Sequence, residues 1–381
     1  MTKLKRKLLV RFTLPVISLL ICACQSQQQL QEVYLFSTEI NNAITNQTNE
    51  TNSTHFATQF SFVPDFDRLK RRDELEKLER PAINYTNLFR NYTEFSAAKY
   101  IVTESDKYSL LVLNESHLHP THRRFALSLL RGLYKNGYRY LGAETLNKNI
   151  DFTQANSPAT NWGYYVAEPT YAQFLREAIA LGFTLFAYEA NAGIDGIDRE
   201  IEQAQNIHSF MKNHTEGKVF IYCGFGHNNE EEMEGWGKVM AGRLKDLTGV
   251  DPLTVNQTYF NDIKPVKSNY AIVLQDTAKN IYHPYTANDI YVFHPIYNEK
   301  DIKLNWKKQE NNTWLKVDFL PKETVYPVFV KVYLDTETGN KIPYDIIELK
   351  DVNEQEWLFV PNQNHTLFIH EKGNSEVELL R

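Results

Sequence analysis

The stretch YSLLVLNESHLHPTHRRFALSLLRGLYKNGYRYLGAE, Tyr108 to Glu144, holds one complete strand–helix–strand unit. Tyr108–Leu113 is a short apolar run of the kind buried on both faces of a sheet. A polar break follows. Thr121–Lys135 then places Phe125, Leu129 and Leu133 at four-residue intervals on one helical face. Tyr138–Ala143 is the next strand. Downstream the alternation repeats: a helix over 171–182 ending at Gly182, a strand over 183–188, a helix over 198–213 with Asp198 as N-cap, a strand over 218–223, and a helix over 230–247. A last strand is expected over 269–276, with 289–297 as the exit. Apolar strands alternating with helices predict an α/β fold, a mostly parallel sheet with helices on both faces.

The flanks read differently. From Ile302 onward, five short alternating runs are separated by turn residues, which predicts a small β-sandwich over 299–381 following an α/β domain over 61–298. His365 and His370, five apart in one of these strands, fall on opposite faces and do not share a metal. Residues 1–24 read as a secretory leader: the basic stretch KLKRK, an apolar run too short for a span of roughly twenty residues, and small residues before a cysteine. Residues 25–60, rich in Gln, Asn, Thr and Ser, read as a flexible tether. The segment Asp67–Leu78 reads as a charged, solvated helix.

Polar residues follow each central strand: Asn114, Glu115, Ser116 and His117; then Glu144; then Glu189; then Gly224, Gly226 and His227. In a parallel sheet all of them sit at the carboxyl edge, where open α/β folds bind ligands. The long loop Asn147–Pro169 contributes Trp162, Tyr164 and Tyr165, which either line a pocket or pack as a lid.

Across roughly 105–260 these motifs resemble the Tiki/TraB/ChaN superfamily, to which the erythromycin esterases are also similar. Its pattern is Gly-x-x-His after the first strand, a glutamate after the second, an arginine on a later helix and a second Gly-x-x-His. Here Asn114-Glu115-Ser116-His117 carries Asn in place of the first glycine, Glu144 and Arg199 match, and Gly224-Phe225-Gly226-His227 is intact. Asn is the residue that best tolerates left-handed backbone where glycine is expected. The leader's end, Ile21-Cys22-Ala23-Cys24, resembles the lipobox of bacterial lipoproteins. That resemblance implies a lipid anchor on Cys24, with a bilayer as partner. The location is then the cell envelope, the outer membrane favoured.

Three functional readings follow. In the first, Glu115, His117, Glu144, Arg199 and His227 form a hydrolase site acting on an ester or peptide bond of a small-molecule or peptide substrate. His117, His227, Glu115 and Glu144 then either ligate zinc, manganese or iron, or His117 acts without metal as a general base oriented by a carboxylate. Arg199 stabilises an oxyanion, or pairs locally with Glu200 or Glu202. In the second reading the protein is a haem- or iron-binding lipoprotein of ChaN type, using His117, His119 and His122. In the third it is a scaffold without catalysis. Cys223 reads as a buried small hydrophobe rather than a nucleophile.

Composition sets the outer limits. With 42% hydrophobic and 13% aromatic residues the 381-residue chain has ample apolar surface for a core, which excludes global disorder. The net charge is −6, and the leader holds five cations and no acid, so the body is more acidic still. That excludes nucleic acid as a partner. Three cysteines give no disulfide framework.

Overall fold

The computed structural model describes residues 33–46, 53–64, 68, 83–296, 306–307, 311–337, 339–354 and 356–379. The leader with Cys24, and all of the charged segment 67–78 except Arg68, lie outside the described residues.

Among the described residues, helices α1 (Ser37–Thr45), α2 (Ser53–Ser61) and α3 (Tyr85–Asn91) precede the sheet. The α/β body begins with β1 (Thr93–Ser96), α4 (Ala97–Ser105), β2 (Leu110–Glu115), α5 (Pro120–Lys135), β3 (Tyr138–Ala143), α6 (Pro169–Leu181) and β4 (Thr184–Phe186). It continues with α7 (Gly196–Asn213), β5 (Lys218–Gly224), β6 (Glu232–Met233), β7 (Gly237–Lys238), α8 (Met240–Thr248), β8 (Leu253–Phe260), β9 (Ile272–Gln275) and β10 (Ile290–Phe293). The remaining strands are β11 (Asn312–Val317), β12 (Val328–Leu334), β13 (Asp345–Leu349), β14 (Glu356–Pro361), β15 (His365–Glu371) and β16 (Val377–Glu378).

One eight-stranded sheet organises the body in the order β1-β9-β10-β8-β2-β5-β3-β4. From β10 to β4 every pairing is parallel, while β9 and β1 add antiparallel pairings at the other edge. Alternation along β2 explains the layers. Leu111 and Leu113 pack with Phe125, Leu129 and Leu133 of α5 and with Tyr171 and Phe174 of α6. Leu110 and Val112 point the other way, to Ala204 and Ile207 of α7 and Met240 and Leu244 of α8. Helices therefore cover both faces, as the buried apolar strands require. Pro120 opens α5 at a position where its missing N–H costs nothing. Gly182 ends α6 in the left-handed conformation (φ 95°), the stop expected from the sequence.

Four expectations need correction. Residues 230–247 are not one helix: "EGWG" turns the chain through Gly235 and Gly237, both at positive φ, and the helix starts only at Met240. The N-cap of α7 is Asp195, whose carboxylate accepts from Gly196 N, rather than Asp198. Residues 289–297 are not an exit but contain β10, hydrogen-bonded inside the sheet. The tether reading fails over its described part, where α1 and α2 form. Phe36 and Phe60 are buried, and Phe36 stacks on Phe329 of β12 with ring centroids 4.0 Å apart. Scattered aromatics within a polar stretch suffice to anchor it.

The C-terminal strands form antiparallel sheets, β11-β14 and β13-β12-β15-β16. They share one apolar core that includes Val317, Val330, Ile347, Leu358 and Leu367. From Tyr34 to Arg381 the chain is one compact unit. Arg176 of α6 bonds Glu337 at 2.6 and 2.8 Å, tying the body to the β region.

Candidate active site

The parallel strands end at one edge, and there the sequence-predicted residues converge. Glu115 closes β2, Glu144 follows β3, Glu189 lies beyond β4, and Gly224 closes β5. His117 Nδ1 lies 2.8 Å from Glu115 Oε1, and its Nε2 points toward Glu144 Oε1 at 3.8 Å. His227 mirrors it: Nδ1 lies 2.6 Å from Glu200 Oε1, and Nε2 lies 3.9 Å from Glu144 Oε1. Two histidine–carboxylate pairs thus face one central carboxylate. Arg199 Nη2 donates to Glu144 and Glu189, at 2.8 Å each, and its Nη1 lies 3.1 Å from His227 Nε2. The local pairing of Arg199 with Glu200 or Glu202 is absent from its contacts, because both carboxylates are engaged elsewhere.

Buried charges require partners, and those of Glu115 are all visible. Arg123, fully buried on α5, donates to both carboxylate oxygens at 2.9 Å, and Tyr222 OH donates to Oε2 at 2.6 Å. Arg123 Nη1 reaches Glu168 at 3.1 Å, and its Nη2 also donates to His117 O at 3.0 Å. Burial opposes ionisation of Glu115, but Arg123 and the hydrogen bond from His117 outweigh it and hold the carboxyl at about 2. Glu144 behaves alike: burial opposes ionisation, while His227, His117 and Arg199 bring it down to about 2. Its Oε2 accepts from Gly224 N. With their oxygens committed, Glu115 and Glu144 orient and polarise; neither is a free base. Burial depresses His227, yet Glu144 and Glu200 prevail and raise it above the ordinary histidine range.

Gly224 is required by close approach, since a Cβ there would collide with His117 Nε2 and press on Glu144. Asn114 does not occupy left-handed backbone. It lies in β2, and its amide knits the edge together, donating to Phe225 O at 2.5 Å and accepting from Gln257 N at 2.8 Å. The positive φ falls one motif later, at Phe225 (φ 36°). Tyr165 stacks flat on His117, centroids 4.0 Å apart, and Tyr164 is exposed beside it. Trp162 is neither pocket nor lid: it is buried against Phe152.

The candidate metal ligands His227 and Glu144 both contact Arg199. Among the described residues no group of three or more His, Cys, Asp or Glu side chains is arranged to hold a metal ion. The reason is Arg199, whose guanidinium lies against Glu144 and His227 Nε2, where a cation bound by His117, His227, Glu115 and Glu144 would have to sit. The haem set fails at His122, which is fully buried: Nδ1 accepts from Ser116 N at 3.0 Å and Nε2 bonds Asn261 Oδ1 at 2.7 Å. Its ring stacks on His119 and leans on His294, centroids 5.0 and 4.8 Å away. No ring nitrogen of His122 is left for iron. Burial first, then the neighbouring His294 and His119, keep it neutral, and burial holds His294 at about 3. Cys223 is buried, and burial together with Glu144 pushes its thiol up, as suits a core residue rather than a nucleophile.

Sequence reasoning missed Arg123, Glu168, Tyr222 and Glu200. Arg123 sits inside the phrase HLHPTHRR, and Glu200 adjoins the matched Arg199. Each lies on a helix turn or strand position indistinguishable from ordinary surface or core until the fold pairs it.

No family model matches the chain, and no curated protein matches it. Solved structures similar to it include the type III effector HopBA1, with TM-score 0.38 and 12% identity over 54% of this chain and 98% of that one. RRSP, a MARTX toxin effector domain from Vibrio vulnificus, has TM-score 0.31 and 16% identity over 43% of this chain and 36% of that one. The C-terminal region of Pasteurella multocida toxin, described as having a thiol-protease-like catalytic triad, has TM-score 0.32 and 8% identity over 88% and 50%. At these scores and identities the likenesses carry no assignment of activity.

Proposed function

We propose that the protein is a metal-independent hydrolase of carbonyl substrates, esters or peptides, whose nucleophile is water activated by His117. The observation that carries this reading is the His117–Glu115 pair at 2.8 Å, with Glu115 locked by Arg123 and Tyr222 while Nε2 faces Glu144 Oε1 at 3.8 Å. A carboxylate on Nδ1 fixes the tautomer that leaves Nε2 able to accept a proton. Water attacks the carbonyl carbon as His117 Nε2 takes its proton. The carbonyl oxygen gains negative charge beside the Arg199 guanidinium. When the bond to the leaving group breaks, His227, whose proton affinity Glu144 and Glu200 raise, supplies the proton that the leaving group needs and then takes another from solvent. His117 then returns its proton to solvent.

The test is a screen of nitrophenyl esters and fluorogenic peptides with the native chain and His117→Ala, each with and without a chelator. Turnover that resists the chelator and vanishes in His117→Ala is expected. Turnover abolished by the chelator, or unchanged in His117→Ala, overturns the reading. We further propose, from the leader, that the enzyme is anchored in the cell envelope through lipid on Cys24. Incorporation of labelled fatty acid, lost in Cys24→Ala, tests that separately.

A further inference from the structure

Two non-glycine residues at the carboxyl edge lie in the left-handed region that side chains disfavour: Thr145 (φ 78°), directly after Glu144, and Phe225 (φ 36°), directly after Gly224. They adjoin the two strand ends that shape the cleft. Backbone of this kind persists only where its surroundings over-determine it, and it gathers at functional sites. For Phe225 the restraint is visible, because its carbonyl is held by the Asn114 amide, itself fixed by Gln257 N.

The outcome of that restraint is the placement of one ring. Phe225 stands edge-on to His117, centroids 5.1 Å apart at 89°, and remains 40% exposed. A ring required for packing would be buried; this one is left open beside the base. Two other half-exposed apolar side chains border the same edge: Tyr164 from the loop after β3, at 42%, and Ile197 at the start of α7, at 45%. Tyr165 already covers one face of His117, so a substrate group arriving at Nε2 meets apolar surface.

We propose that Phe225 is the specificity-determining wall of an apolar subsite, which selects substrates bearing a ring-sized apolar group next to the scissile carbonyl. The identity of the reacting carbonyl rests on the hydrolase reading above; the subsite itself is tested by binding. N-acetyl-phenylalanine amide and N-acetyl-glycine amide, titrated by NMR against the full chain, differ only in the benzyl group. The ring-bearing probe is expected to bind about tenfold tighter or more, the scale of burying a benzyl group. Phe225→Ala is expected to bring the two probes within about twofold, and Phe225→Leu to keep most of the preference, an apolar side chain of similar reach remaining. Thermal melting of both variants controls for folding. Equal affinity for the two probes, no binding of the ring-bearing probe at millimolar concentration, or an undiminished preference in Phe225→Ala overturns the subsite. If instead the ring preference holds while hydrolysis proves independent of His117, the subsite stands and the hydrolase reading falls.

Discussion

Glu115 is 1% exposed and nevertheless ionised, and the whole candidate site follows from what makes that possible. Arg123 neutralises it from behind and Tyr222 OH donates to Oε2, leaving Oε1 aligned on His117 Nδ1. Glu115→Gln keeps the volume but loses the charge that selects the tautomer, so kcat is expected to fall about 10²-fold or more with KM little changed. The same variant leaves Arg123 short of one partner, and a loss of about 3 kcal/mol in a urea titration should accompany it. Tyr222→Phe removes one hydrogen bond and should cost far less in both measurements. His227 carries the pH dependence. Its affinity for a proton is raised in the folded state, so its acid form is present at low pH and is lost as pH rises through that raised value. Activity should therefore decline on the alkaline side, and His227→Asn should abolish that limb along with most of kcat. Glu115 and Glu144, both held at about 2, contribute nothing to a profile measured above pH 4.

Strand ends, more than whole strands, decide what these elements do. β5 finishes on Gly224 because His117 Nε2 and Glu144 occupy the space a side chain would need. Gly224→Ala should displace the imidazole by a fraction of an ångström to an ångström and cost about 10²-fold in kcat/KM, with Tm nearly unchanged. A large fall in Tm instead would show that the glycine serves packing alone. The strands β2 and β5 were legible in the sequence because each has an unbroken apolar run, and β3 because Arg139 alone interrupts one; their polar termini marked the edge correctly. β8 was not legible, since Asn256 and Gln257 sit buried in its middle. They are tolerated only because Asn256 meets Asn288 and Gln257 meets Asn114 and His294, partners far away in sequence. For the same reason Glu115, His117, Glu144, Arg199 and His227 could be named from position, whereas the arginine and glutamate behind them could not. A motif shows which residues reach an edge; burial shows which of their oxygens are already spoken for.

Across the whole molecule, the two ends of the described chain meet. Ser37 N donates to Glu348 Oε1 at 3.0 Å, and Arg68 Nη1 bonds Glu348 Oε2 at 2.8 Å, with both charged side chains shielded from solvent. Glu348→Ala removes the buried carboxylate that Arg68 and Ser37 share, and a loss of about 3 kcal/mol is expected in chemical denaturation. A change under about 1 kcal/mol would mean that Phe36 stacking on Phe329 carries the attachment by itself. Ser37 and Glu348 are 311 positions apart in the chain. On a ribosome, α1 therefore emerges long before anything exists for it to bind, and it must wait until β13 has been made. Loop closure over such a separation is slow, and contacts of this range depress folding rates. Until β13 has been made, the Ser37 and Arg68 groups that bond Glu348 lack that partner.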